Sequence, residues 1–259
     1  MKRNFLYIPL IVSAVLSPAV VQAHFLTMFP EQQVIDKGDS KKLHFPVYFT
    51  HPMSMGPTMD IVKPTVGVVM NNKLTDLTDS LISTPYGAAT GWALNYPLRR
   101  PGTYTFFAEQ QPYIDETENV AISQSAKVVV DAFAAGGNWQ VQLNTPVEIM
   151  PLTRPYALWT NSIFTGKVLV NGKSAAGVDI EVEYYNKQGI PVPSDAYLTQ
   201  QAVTNTAGEF TVALPKQGWW GIAALVEDDQ PISINGKAYP HERAGVMWLQ
   251  VKDIAPSSL

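Results

Sequence analysis

The 259-residue chain contains no cysteine, is 46% hydrophobic and only 15% charged, and sets 18 Lys and Arg against 22 Asp and Glu, for a net charge of −4. A disulfide framework and a lipid-modified cysteine are thereby excluded. The acidic balance argues against nucleic acid or an anionic membrane as partner and mildly favours cations.

Residues 1–23 read as a Sec-type signal peptide. Lys2 and Arg3 form a basic start, Ile8 to Leu16 an apolar core, and Val21-Gln22-Ala23 a small-residue cleavage site. The apolar run is interrupted by prolines and falls short of the roughly 20 residues a membrane anchor requires, so no anchor is expected after cleavage. The mature chain would start at His24, with 16 basic residues against 22 acidic ones, and would be a soluble periplasmic protein.

From there the dominant pattern is period-two alternation, which predicts an all-β protein. Leu43, Phe45, Val47 and Phe49 share one face of a strand and place His44 on the other. Further strands are expected over 103–108, 126–131 and 139–143, with a short helical fragment at 74–83. The run from Val147 to Pro155 reads as a strand entering a proline-stiffened linker. A first β-sandwich is thus expected over 24–150 and a second, immunoglobulin-like or transthyretin-like, over 156–252. In the second, Asn171-Gly172 marks a tight hairpin. Val178, Ile180 and Val182 alternate with Asp179, Glu181 and Glu183, and strands follow at 219–225 and 245–251.

No catalytic constellation is expected. Gly-x-Ser-x-Gly and the phosphate-binding glycine motifs are absent, and the serines fall in turn-like sequence without an adjacent base. The acidic groups Asp115, Glu116 and Glu118, and Glu227, Asp228 and Asp229, read as solvated loops. Ligand chemistry remains. Of the four histidines, His24, His44 and His51 lie within the first 28 mature residues, beside Met53, Met55 and Met59, whereas His241 reads as a surface loop residue. A histidine at a freed N-terminus offers a metal both its α-amine and its imidazole. Imidazole suits nickel, copper and zinc, and thioether sulfur favours Cu(I). Seven residues separate His44 from His51, an odd step that puts them on opposite faces of an unbroken strand. His51 reaches the terminus only if Pro52 turns the chain.

The ordered series Ala23-His24-Phe25, Phe49-Thr50-His51-Pro52-Met53, Arg100-Pro101-Gly102-Thr103, Gln111-Pro112-Tyr113, Lys127-Val128-Val129-Val130, Glu148-Ile149-Met150-Pro151 and Gly218-Trp219-Trp220-Gly221 resembles the DUF4198 family of exported β proteins. The resemblance implies a role in nickel or cobalt uptake, alongside an inner-membrane metal importer such as an energy-coupling-factor transporter. It implies metal ligation by His24 and His51, with His44, water or a carboxylate filling the remaining positions. Relatives carry further histidines where this chain has Ala89 and Gln124. Copper handling and a ligand-free structural or interaction module of the cell envelope are the alternative functions.

Overall fold

A computed structural model describes residues 24–254; the expected signal peptide over 1–23 lies outside the described residues. In chain order the strands are β1 (Phe25–Met28), β2 (Val34–Ile35), β3 (Lys42–Thr50), β4 (Thr65–Met70), β5 (Lys73–Asp76), β6 (Ile82–Tyr86) and β7 (Ala89–Pro97). There follow β8 (Gly102–Glu109), β9 (Tyr113–Asp115), β10 (Val120–Ala132), β11 (Val147–Pro151), β12 (Leu158–Trp159), β13 (Ser162–Val170) and β14 (Lys173–Ser174). The last seven are β15 (Asp179–Tyr184), β16 (Gln200–Val203), β17 (Glu209–Leu214), β18 (Gly218–Glu227), β19 (Ile232–Ile234), β20 (Lys237–Tyr239) and β21 (His241–Lys252). The only helices among the described residues are 3-10 turns at Thr78–Ser80 and Asp195–Tyr197, so the protein is all-β, and no described helix is long and apolar enough to cross a membrane.

The strands form a sandwich of unusual sharing. A central sheet runs β16-β15-β18-β21-β10-β8-β4-β5, a four-stranded sheet of β1, β3, β7 and β6 supplies the wall of one core, and β11, β13, β14 and β17 supply the wall of the other. The expected units 24–150 and 156–252 therefore meet within one sheet, because β10 runs parallel to β21 from Ala121↔His241 to Val128↔Trp248. Both faces of β18 and β21 are covered, which explains their near-continuous apolar sequences. Trp219, Ala223, Val246 and Trp248 point into the first core, while Trp220, Ile222, Ala224, Met247 and Leu249 point into the second. Fully buried Phe25, Phe45, Phe49, Phe106 and Trp248 contribute about 1.5–3 kcal/mol each by leaving water. Gly245 lets the second wall approach, since a Cβ there would sit 2.6 Å from the Val147 carbonyl oxygen.

Two local expectations fail and one holds. Residues 139–143 alternate but form no strand; the Leu143 and Asn144 N–H groups donate to the Glu148 carboxylate instead of to a neighbouring strand. The expected helix at 74–83 is mostly extended, interrupted by the single 3-10 turn. Asn171 and Gly172, with φ of 49° and 76°, make the tight turn between β13 and β14.

Candidate functional site

The antiparallel register of β1 on β3 pairs Phe25 with Thr50, so the next position outward brings His24 beside His51. Three side chains fix this start of the chain. Gln124 Nε2 donates to the His24 carbonyl at 2.6 Å, Gln124 Oε1 accepts from the Leu26 N–H at 2.8 Å, and Trp248 Nε1 donates to the Leu26 carbonyl at 2.9 Å. Gln124 thus serves β1 as a substitute strand partner, reaching across from the central sheet. The loop after His51 is held from the other half of the chain. The Met53 N–H donates to Glu183 Oε2 at 2.9 Å, the Asn186 N–H donates to the Pro52 carbonyl at 3.0 Å, and Asn186 Nδ2 donates to the Met53 carbonyl at 3.1 Å. The loop folds so closely that a Cβ on Gly56 would stand 3.0 Å from His51 Cδ2.

The result is a half-enclosed pair of imidazoles. The His24 and His51 ring centroids are 4.1 Å apart and tilted by 48°, His24 stacks on Phe49 at 5.2 Å, and Tyr113 closes the side at 6.2 Å. His51 is 7% exposed. Asp115 Oδ2 lies 3.6 Å from His24 Nε2, while its other oxygen, Oδ1, accepts the Thr117 and Glu118 N–H groups at 2.8 and 3.1 Å. The aspartate read from sequence as solvated is therefore buried, tied down by its own turn, and aimed at His24. Burial, followed by the positive charge a protonated His51 would carry, pushes the His24 pKa down to about 4 against the opposing pull of Asp115. His24 is a neutral base at ordinary pH. Among the described residues no three His, Cys, Asp or Glu side chains form a ready metal-holding group. The donor set on hand is two imidazoles with a carboxylate behind one of them.

A family model described as a domain of unknown function (DUF4198) matches residues 21–228. The chain belongs to the DUF4198 family. No curated protein sequence matches it. Among solved structures, tandem immunoglobulin domains of titin share 9% identity over 90% of this chain and 100% of theirs, with a TM-score of 0.21. Fibronectin(III)-like modules of Clostridium thermocellum CbhA share 10% over 86% and 94%, also at 0.21. Trypsin-activated alpha-2-macroglobulin from Escherichia coli shares 9% over 90% of this chain and 16% of its own, at 0.25. TM-scores this low carry no functional argument.

Several of the segments that carry the DUF4198 resemblance have structural uses. Lys127 and Glu148, 4% and 2% exposed, form a buried ion pair at 2.8 Å, with the Glu148 carboxylate also accepting the Leu143 and Asn144 N–H groups. Desolvation lowers the lysine pKa and Glu148 opposes it. Trp219 and Trp220 face opposite cores, and the Phe49–Met53 stretch positions His51.

The other two histidines lie apart from this pair. His44 is exposed and bonded through Nδ1 to Asn95 Oδ1 at 2.9 Å; its register partner is Asn95, seven positions along the chain from His51, so His44 is no ligand of the His24–His51 pair in this arrangement. His241 begins β21 and is not a loop residue. Its Nε2 meets the Ser123 hydroxyl at 2.9 Å and its Nδ1 meets Asp228 Oδ2 at 2.8 Å, while Asp228 Oδ1 also pairs with Arg243. A serine next to a base does therefore exist. Ser123, however, lies inside a regular strand, not on the sharp strand-to-helix turn that presents a nucleophile. The chain of bonds ties β10 to β21. No local sequence signal reveals it, because Ser123 is 118 residues from His241.

Proposed function

We propose that this protein is a periplasmic carrier that captures a transition-metal cation, nickel before cobalt, and passes it to an inner-membrane importer. The reading is supported chiefly by the pairing of His24 with His51 at 4.1 Å, with Asp115 on the Nε2 side of His24. A proton on Nε2 facing Asp115 leaves the lone pair on Nδ1, the ring nitrogen nearer the main chain. Cleavage after Ala23 converts the His24 amide nitrogen into an amine, and that amine with Nδ1 closes a chelate ring on the cargo ion. His51 supplies the next nitrogen. Because burial keeps the His24 imidazole unprotonated, the ion displaces no proton from that ring at neutral pH, only one from the α-amine. Neutral nitrogen donors suit late divalent ions over Ca²⁺ or Mg²⁺. Asp115 is a positioning residue, and His44 takes no part.

The test is calorimetric titration of Ni²⁺ into protein whose first residue is verified as His24, alongside a form with one Met ahead of it. The extended form should bind about tenfold more weakly or worse, through loss of the second nitrogen's effective concentration. If neither form binds above background and His24→Ala changes nothing, a ligand-free envelope module is the function instead. A preference for Cu(I) that Met53→Leu and Met55→Leu remove would make copper the cargo. Met59 packs against the first core, whereas Met55 is exposed.

A further inference from the structure

On the same face of the central sheet that carries Gln124, a cavity of about 650 Å³ opens between β15, β18, β21 and the turn before β10. Five carboxylates line it, those of Glu118, Asp179, Glu181, Glu227 and Glu242, and no Lys or Arg does. Glu227 and Glu242 are direct cross-strand partners, an arrangement of like charges that costs stability. Arg243, the neighbouring base on β21, is taken up by Asp228 on the opposite face, and Lys237 is bonded to Asn119. Glu181 is 3% exposed, its Oε1 accepts only a long bond from Gln201 at 3.4 Å, and its buried Oε2 has no hydrogen-bond partner. A buried carboxylate oxygen without a donor is costly, so a wall of the cavity holds an acceptor that a ligand's donor would satisfy. Burial first, then Glu181, Glu118 and Glu227, push the Glu242 pKa up to about 7, the response of a carboxylate lacking a counter-ion.

The carboxylates do not converge. No three of them meet in a group that could hold a metal ion, so a bare divalent cation would find no closed shell of oxygens here. Separated carboxylates with Val120, Leu225 and Pro240 between them match a different chemistry, ammonium groups spaced along a hydrocarbon chain. We propose that this cavity binds a linear aliphatic polyamine, its ammonium groups on Glu181, Glu242 and Glu227 and its methylenes on the apolar wall. The site is separate from the His24–His51 pair and does not depend on the metal reading.

The experiment is calorimetric titration of spermidine into the full mature protein, with Mg²⁺ at matched ionic strength and a lysine-rich peptide of equal charge as competitors. Spermidine should bind at one site, and Glu181→Gln with Glu242→Gln should weaken it at least tenfold while the thermal midpoint holds or rises, since each change relieves repulsion. The exposed single change Glu227→Gln should weaken it several-fold and guards against a folding artefact in the double variant. His24→Ala should leave spermidine affinity unchanged. The proposal is overturned if spermidine binds no better than Mg²⁺, if the double variant binds as well as the parent, or if the peptide binds more tightly, which would make the cavity a docking site for a basic protein.

Discussion

His24 and His241 each stand beside an aspartate, and their surroundings differ in what they leave for a ligand. At His241 both ring nitrogens are committed, at 2.9 Å to Ser123 and 2.8 Å to Asp228. At His24 the aspartate stands off at 3.6 Å, the ring is packed mainly by other rings, and burial keeps it neutral. The histidine saturated with hydrogen bonds is a strut between strands, and the one packed among aromatic rings is the metal ligand proposed above.

The contrast can be broken at several points, the largest effect being on stability. An unfolded imidazole takes up a proton near pH 6.5 and the folded His24 only near 4, so stability should fall as pH drops through that window and level off below it. The span corresponds to about 3 kcal/mol and should be visible in urea midpoints at pH 7 and pH 4; His24→Gln should flatten the slope. Next, His24→Ala should weaken Ni²⁺ binding about 100-fold, or 2.7 kcal/mol, in a calorimetric titration, and His241→Ala by less than twofold. Equal losses for the two would end the distinction between strut and ligand. Third, His241→Ala should cost about 2 kcal/mol in chemical denaturation, because it strands Asp228 and Ser123 without their shared partner. Fourth, Asp115→Asn should lower Ni²⁺ affinity about tenfold through misorientation of His24, with little change in urea midpoint. The smallest effect is expected from Gly56→Ala, whose new methyl presses on the His51 ring at 3.0 Å and should weaken the metal about threefold.

Much of the strand plan was legible because one apolar face in every two residues is a local signal, as in β3 and in the Asn171-Gly172 hairpin. The nearness of His24 to His51 followed once Phe25 paired with Thr50, but the sequence could show only that Pro52 had to turn the chain. Alternation says nothing of what covers the other face. Glu181 and Glu183 alternate like surface residues yet lie 3% and 2% exposed, Glu183 beneath the loop after His51 and Glu181 against Gln201 on the wall of the acidic cavity. Residues 139–143 alternate like a strand, but side chains take two of their backbone donors, Asn138 that of Gln140 and Glu148 that of Leu143. Asp115 and the Ser123–His241–Asp228 chain were hidden for a different reason. Asp115 is set against His24 by β9 on β10 and by the hold of Gln124 on β1, and Ser123 against His241 by the parallel seam of β10 and β21; no short window of sequence contains either pairing.

That seam has a kinetic consequence. β21 is the last strand among the described residues and lies between β18 and β10, so until residues 241–252 are in place the halves of the central sheet, β15 with β18 and β8 with β10, stay unjoined and neither core can close. Contacts this remote in sequence fold slowly.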